Sequence, residues 1–81
     1  MNFKEHDVVK LTAEDYEFIT TPNEEEHDEF EILPKGTIGT IVTPPVEEQG
    51  GCNVEFPYIN EKYPDADPVV WVLFTEIESS K

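Results

Sequence analysis

The alternation of apolar and polar side chains predicts a series of short β-strands along this chain. Residues 7–12 begin the series, and the apolar side chains of Val9 and Leu11 share one face of that segment. A period of two is typical of a strand with one buried face. We therefore expect a first strand whose Val9 and Leu11 point into the core.

Three further apolar runs predict the later strands. Residues 37–43 are β-branched except for one glycine, residues 52–58 alternate, and residues 69–74 are apolar without a break. An unbroken run indicates a strand that is partly covered on both faces. Residues 75–78 supply a short turn and a last strand, whose Ile77 is expected to close a barrel. The other expected core residues of these strands are Ile38, Ile41, Val54, Phe56, Val70, Val72 and Phe74.

A tight turn over residues 33–36 leads into the second of these strands. Pro34 presets the backbone for a β-turn, and Gly36 can adopt the conformation by which such a turn joins a strand. Gly39 lies inside the strand, where a glycine usually marks a bulge or the close approach of another backbone. We expect both glycines to hold conformations that other residues adopt only with strain.

The polar block before this turn predicts a long hairpin-like excursion. Residues 12–31 contain nine carboxylates and no lysine, but residues 16–19 and 30–32 both alternate apolar with polar side chains. We interpret those two runs as the arms of the hairpin and residues 21–28 as its tip. A short helix over residues 12–19, with an acid at the capping-box position, is the alternative that the sequence leaves open.

These features together resemble the short SH3-like β-barrels of a bacterial protein family. The likeness rests on residues 33–42 with their turn and glycines, on residues 7–11 and on residues 53–56. It is looser to KOW modules and to the barrel of the nitrile hydratase β subunit. The resemblance implies an all-β fold, a small SH3-like barrel of about five antiparallel strands with a long acidic loop after the first strand. The chain departs from that pattern in its acidic insertion and in residues 57–68, a proline-rich segment that we expect to be a loop.

Length and cysteine content indicate one small domain over residues 1–81. A domain of this size buries only about 60% of its unfolded surface, which leaves little room for an enclosed catalytic cavity. A single cysteine, Cys52, permits no internal disulfide and indicates a reducing compartment. The charged start is unlike a signal peptide, and no segment approaches the roughly 20 apolar residues of a membrane span. We expect a cytoplasmic protein without a membrane partner.

Charge is the most unusual property of the composition. The chain has 19 acidic and 5 basic residues, a net charge of −14, and every basic residue is a lysine. Arginine supplies the bidentate fork that recognises phosphate and guanine, and affinity for nucleic acid begins with the neutralisation of phosphates. We therefore expect no nucleic-acid partner, which removes the usual role of KOW-like barrels.

The sequence predicts neither a catalytic site nor a cofactor site. Residues 24–29 include ligand types for a divalent cation, but they lack the glycine turn and the alternate spacing of a calcium loop. His6 and His27 are far apart, and no serine or cysteine lies in a nucleophile motif. Cys52 has an acidic neighbourhood and is expected to be a buried small residue rather than a reactive thiol. We expect a non-enzymatic protein without a metal or other cofactor.

The candidate functional residues are those of a binding surface. An aromatic ledge beside an acidic loop is how peptide-binding SH3 domains accept basic, proline-rich ligands. The aromatic rings could instead be buried by the long loops, where they would thicken a thin core, and burial is the interpretation that we favour for the rings as a group. The residues expected to bind a partner are Glu24, Glu25, Glu26, Asp28, Tyr16, Phe18 and Trp71.

Two classes of function follow from these observations. The first is an acidic protein-binding module, such as an immunity or inhibitor protein, whose negative field attracts a basic protein partner. The second is a structural or accessory barrel subunit of a larger assembly, in which acidity serves only solubility. The neighbouring gene would discriminate between them, since a basic toxin supports the first class and metabolic enzyme subunits support the second.

Overall fold

A computed structural model describes residues 3–14, 16–19 and 30–80, and these residues form a mostly β fold with one short helix. The elements in chain order are β1 (Val8–Leu11), β2 (Tyr16–Ile19), β3 (Phe30–Leu33), β4 (Ile38–Ile41), β5 (Gly51–Glu55), α1 (Pro57–Lys62), β6 (Val69–Leu73), a one-turn 3-10 helix (Phe74–Glu76) and β7 (Ile77–Ser79). The alternating segments of the sequence therefore become strands, as predicted.

Five of these strands form one antiparallel sheet, in the order β6-β5-β4-β1-β7, and β2 and β3 form a separate hairpin. Only the 3-10 helix separates β6 from β7, although they are the two edge strands. A flat sheet would place its edges about 19 Å apart. The connection from Leu73 to Ile77 can span at most about 14 Å. The sheet must therefore curl until its edges approach each other at this end.

The curled sheet is not a closed barrel. Among the described strands, β6 pairs only with β5 and β7 pairs only with β1. Ile77 is buried, and it pairs with Leu11 on β1 rather than joining the two edges. The expectation that Ile77 closes a barrel is therefore wrong, because the 3-10 helix leads into β7, and β7 pairs with β1 on the side opposite β4.

The register of β4 decides which of its side chains enter the core. β1 and β4 pair without a bulge, with Gly39 opposite Val9 and Ile38 opposite Lys10. Because side chains alternate across a strand, Gly39 and Ile41 share the inner face. Ile38 points outward, with 47% of its surface exposed. The expected core position of Ile38 is therefore wrong, and of the alternatives for Gly39 the bulge is absent from the pairing of β1 with β4.

Gly36 and Gly39 are needed for different physical reasons. Gly36 has a φ of 91°, the left-handed region that the turn was predicted to require. Gly39 is needed for space, since an added Cβ would lie 2.6 Å from Val54 Cγ1 and 2.7 Å from Phe56 Cδ1. The predicted strain at Gly39 is thus replaced by close packing of the Val54 and Phe56 side chains against its backbone.

The core lies on the inner face of the curled sheet. The strand patterns of the sequence predicted seven of its buried residues, which are Val9, Leu11, Ile41, Val54, Phe56, Val72 and Ile77, and the buried position of Cys52 was also predicted. Val70 and Phe74, also predicted, are partly buried and pack against this cluster. The remaining buried hydrophobic residues are Phe18, Leu33, Ile59 and Ala66.

The proline-rich segment begins with a helix, which corrects the prediction of a loop over residues 57–68. Pro57 occupies the first turn of α1, where the missing proline N–H is not needed. Ile59 of this helix is buried in the core. Asn60 Nδ2 donates a hydrogen bond to the carbonyl oxygen of Ala66 at 2.9 Å, which folds the rest of the segment back onto the helix. No helix among the described residues is long and apolar enough to span a membrane.

The hairpin predicted from the polar block is present as β2 and β3. Tyr16 pairs with Leu33, and Phe18 pairs with Glu31. The strand interpretation of residues 16–19 is therefore confirmed over the helical alternative. The predicted tip, residues 21–28, lies outside the described residues.

Candidate functional site

A surface groove of ≈ 390 Å³ lies between the β2–β3 hairpin and the edge strand β6. Its lining combines aromatic, aliphatic and carboxylate side chains from the hairpin with those of β6 and the loop before it. The lining residues are Glu17, Phe18, Phe30, Asp67, Val69, Val70 and Trp71. The groove thus brings together segments that are about 50 residues apart in the sequence, a separation that only tertiary folding can bridge.

The hairpin is fastened beside β6 by its inward-facing aromatic residues. The hydroxyl of Tyr16 donates a hydrogen bond to the main-chain carbonyl oxygen of Trp71. Phe18 packs edge-on against Tyr63, with ring centroids 6.0 Å apart. The Glu31 carboxylate, on the opposite strand of the hairpin, lies close enough to Tyr63 to raise its pKa. One face of the hairpin is therefore fixed to the core, and its other face is left to solvent.

The aromatic candidates from the sequence differ in how exposed they are. Trp71 is 37% exposed on the outer face of β6, and Tyr16 is half-buried. Phe18 is only 3% exposed, which agrees with the burial that we favoured for the rings as a group and leaves little of its ring for a partner. Phe30, which the sequence pattern did not single out, is 52% exposed on the outer face of the hairpin.

Trp71 also has a structural role, because its indole covers Gly51 on the neighbouring strand. A Cβ added to Gly51 would lie 2.7 Å from Trp71 Cζ2 and 2.5 Å from the carbonyl oxygen of Val72. An aromatic ring laid over a strand glycine in this way fills the space that the missing side chain leaves. One face of the indole is therefore occupied, and only the rest of the ring is available to a ligand.

The main chain of β6 contributes unpaired polar groups to the groove. Trp71 and Val69 lie at positions of the β5–β6 ladder whose N–H and C=O groups point away from β5. Asp67 Oδ1 accepts a hydrogen bond from Val69 N–H at 3.0 Å, and Tyr16 occupies the Trp71 carbonyl oxygen. Among the described residues, no hydrogen bond reaches the Val69 carbonyl oxygen or the Trp71 N–H.

The electrostatic character of the groove is acidic. Glu17 and Asp67 supply carboxylates to it, and no lysine is among its lining residues. Ile19 and Phe30 end the two arms of the hairpin, and residues 20–29 join them in the sequence. The predicted contact residues of that segment, Glu24, Glu25, Glu26 and Asp28, lie outside the described residues. These four acids are joined to the hairpin arms through the chain and carry negative charge.

Within the part of the chain that the structure describes, three ionisable side chains have raised pKa values, and each shift favours the neutral form. Burial and the Glu76 carboxylate raise the pKa of Tyr16. Partial burial and the Glu31 carboxylate raise the pKa of Tyr63. Burial raises the pKa of the Cys52 thiol, which is fully buried, as predicted. A thiol in this environment is a poor nucleophile, since the thiolate is the reactive form.

The described residues contain no group of three or more histidine, cysteine, aspartate or glutamate side chains that could hold a metal ion. A second cavity of ≈ 380 Å³ lies between β4 and α1. It is lined by Thr37, Ile38, Gly39, Thr40, Pro57, Tyr58 and Glu61. This lining has no nucleophile paired with a base, so the groove beside β6 is the better candidate site.

No family model, no curated protein and no solved structure matches this chain. The groove is therefore the feature of this chain that indicates a function. Sequence reasoning found Trp71 but missed Phe30 and Asp67, although an aspartate just before a strand is a known signal for a side chain that binds backbone N–H groups.

Proposed function

We propose that this chain is a non-enzymatic protein-binding module that accepts a basic segment of a partner protein in the groove beside β6. The observation that supports this most is the chemistry of the groove, in which two exposed aromatic rings, Phe30 and Trp71, lie with two carboxylates, Glu17 and Asp67. Aromatic side chains in such positions usually dominate binding energy, and acids select cationic ligands.

The charge of the whole chain supports the same kind of partner. A net charge of −14 creates a field that attracts basic surfaces and repels acidic ones. This field accelerates encounter, whereas the groove would provide the desolvated contact that slows dissociation. An immunity or inhibitor protein that covers the basic surface of a cytoplasmic partner is the biological role that we propose for this combination.

The test begins with capture of partners on the tagged full-length chain, from a lysate of its own host, followed by elution with salt. The recovered protein is then purified and its affinity is measured at several salt concentrations. We expect a basic protein whose affinity falls as salt rises. Capture alone does not support the proposal, so the groove itself must be tested with variants.

The groove variant combines Glu17→Gln with Asp67→Asn, because asparagine can still accept the hydrogen bond from Val69 N–H. The control variant combines Glu47→Gln with Glu48→Gln, which removes the same charge from a turn that does not line the groove. We expect the groove variant to bind roughly three- to tenfold more weakly than the control, since an exposed ion pair contributes about 0.2–1 kcal/mol.

Two results would contradict the proposal. One is a partner that is acidic, or whose affinity does not depend on salt. The other is an equal effect of the groove and control variants, which would place the contact elsewhere. The first result would favour the alternative function, an accessory subunit whose acidity serves solubility.

A further inference from the structure

We infer that the basic segment binds as an added β-strand along the free edge of β6, with its main chain hydrogen-bonded to the Val69 carbonyl oxygen and the Trp71 N–H. This inference rests on the proposed function, since it specifies how the groove holds its ligand. Pairing with the main chain of β6 is a mode of recognition separate from contact with the side chains of the groove.

The phase of the β5–β6 ladder determines which main-chain groups of β6 face the groove. Phe56 N–H donates to the Pro68 carbonyl oxygen at 2.9 Å, and Phe74 N–H donates to the Gly50 carbonyl oxygen at 2.9 Å. In an antiparallel pair, hydrogen-bonded and non-hydrogen-bonded positions alternate. The N–H and C=O groups of Trp71 therefore point away from β5. The same groups of Val69 and Leu73, two residues before and two residues after Trp71, also point away from β5.

The protein's own side chains occupy three of these outward groups. Asp67 Oδ1 accepts from Val69 N–H, and Glu76 Oε1 accepts from Leu73 N–H at 2.8 Å. The Tyr16 hydroxyl donates to the Trp71 carbonyl oxygen. Capping of this kind protects an edge strand against pairing along its whole length. It leaves a short slot, formed by the Val69 carbonyl oxygen and the Trp71 N–H.

The two groups of the slot lie on either side of Val70, at the spacing that an extended chain requires. A residue of a parallel strand placed opposite Val70 can donate its N–H to one group and accept from the other with its C=O. Two residues of an antiparallel strand can make the same two bonds. Because side chains cap both ends of the slot, the ligand should be a short extended segment rather than a long strand.

The surroundings of the slot indicate the chemistry of that segment. One face of an added strand would continue the face of β6 that contains Val70, and the other would continue the face that contains Trp71. Apolar and aromatic side chains thus border the slot together with the carboxylates of Glu17 and Asp67. A segment that alternates lysine or arginine with an aliphatic residue is complementary to both features.

The first measurement uses the full-length chain labelled with ¹⁵N and a heptapeptide that alternates lysine with valine. We expect hydrogen exchange at the Trp71 amide to slow about tenfold when the free peptide is at ten times its Kd, because exchange then requires release of the peptide. The amides of Val70 and Val72 provide the matched internal control. They already face β5, so the peptide should leave their exchange unchanged.

The second measurement separates backbone pairing from recognition by side chains alone. Two versions of the peptide are N-methylated at alternate residues, so that each has one blocked edge. A strand that pairs with β6 uses only one of its edges. We expect one methylated peptide to lose binding at least tenfold and the other to bind like the parent peptide.

The possible results separate this inference from the proposed function. An unprotected Trp71 amide, or equal binding of both methylated peptides, would overturn strand addition while the proposed function stands. Strand addition would also be overturned if no peptide of the set binds while the affinity of the captured basic protein still depends on the groove carboxylates. Loss of that dependence is the separate result that contradicts the proposed function.

Discussion

The hydroxyl of Tyr16 donates a hydrogen bond to the main-chain carbonyl oxygen of Trp71 at 2.5 Å, across 55 residues of sequence. The β2–β3 hairpin shares no ladder with the five-stranded sheet among the described strands. This side-chain bond therefore connects the two sheets at the groove, and it holds the hairpin at a distance from β6 that leaves the groove open.

Replacement of the Tyr16 hydroxyl should loosen the hairpin. We expect Tyr16→Phe to lower the free energy of unfolding by about 0.5–1.5 kcal/mol, the usual contribution of one intramolecular hydrogen bond. Urea denaturation measures this change, and amides of β2 and β3 should exchange faster in the variant. Tyr58→Phe is the matched control, because Tyr58 is also half-buried and its ring faces Lys62. Equal effects of the two substitutions would contradict a specific role for the Tyr16 bond.

Alkaline pH should destabilise the protein through the tyrosines and the cysteine. Because the pKa values of Tyr16 and Cys52 are raised in the folded state, the unfolded chain loses these protons first as pH rises. Their contribution to stability is therefore complete below the unfolded pKa values, which are about 10 for tyrosine and about 8.5 for cysteine. It is lost as pH rises through the folded values. Denaturation measured from about pH 8 to about pH 11 should show this decline, and Tyr16→Phe should make it shallower. A decline of the same slope in both proteins would show that Tyr16 does not contribute to it.

Substitution at Gly39 should act through packing rather than backbone strain. We expect Gly39→Val to destabilise the protein by about 1–3 kcal/mol, because its side chain would overlap Val54 and Phe56. Gly36→Ala should also destabilise, but through its positive φ, since nothing lies within 4 Å of an added Cβ there.

A double-mutant cycle distinguishes these two causes. Val54→Ala removes one of the groups that an added Cβ at Gly39 would meet, so Gly39→Ala should cost less in the Val54→Ala background. The cost of Gly36→Ala should be the same in both backgrounds. Additivity at both glycines would rule out the packing explanation for Gly39.

Added salt should raise the melting temperature. The net charge is −14, ion pairs are few among the described residues, and the Lys10–Glu78 pair at 3.1 Å is about half exposed. Screening by salt should therefore weaken the repulsion between like charges more than it weakens the attraction within ion pairs. A gain of about 1 kcal/mol would appear as a rise of roughly 4–8 °C for a domain of this size. Mild acidification should at first also raise the melting temperature, because protonation of carboxylates reduces the same repulsion. A melting temperature that falls with salt would instead indicate specific, favourable carboxylate pairs.

The acidic segment and the aromatic groove should affect different rate constants of partner binding. Neutralisation of Glu24, Glu25, Glu26 and Asp28 should slow association and flatten its dependence on salt, because these charges act over long range. Trp71→Ala should mainly speed dissociation, because it removes buried contact area. Surface plasmon resonance with the captured partner measures both rates.

Two controls accompany the binding experiment. A variant with four carboxylates neutralised elsewhere matches the charge change, and its positions are Glu5, Glu47, Glu48 and Glu61. The stability of Trp71→Ala must be measured in parallel, since the indole also covers Gly51. Slower association in the control variant to the same degree would show that only net charge matters, and unchanged dissociation in a folded Trp71→Ala would exclude an anchor role.

Features that depend only on neighbouring residues could be predicted from the sequence. The alternation around Val9 and Leu11 predicted a strand and its buried face, because side-chain direction follows directly from an extended backbone. The turn at Gly36 was equally local, since proline and glycine restrict φ and ψ of their own residues. The hairpin arms, the strands and most of the core followed from such local rules.

Features that depend on how separate segments meet are set by the tertiary structure. Ile38 looked like a core residue, but the pairing of β1 with β4 fixes which face it occupies. Phe18 and Trp71 are both aromatic strand residues, yet only packing against Tyr63 and Gly51 distinguishes the buried ring from the partly exposed one. The register between strands and the docking of the hairpin are set by contacts that local sequence patterns do not encode.

The groove belongs entirely to this second group. Its carboxylates, Glu17 and Asp67, lie on separate segments, and the slot on β6 exists because β5 pairs with only one of its edges. The sequence showed that the chain was acidic and aromatic, but only the fold brought these groups beside unpaired main-chain atoms. Composition determines which interactions a chain can make, whereas the positions of those groups follow from the long-range contacts of the folded state.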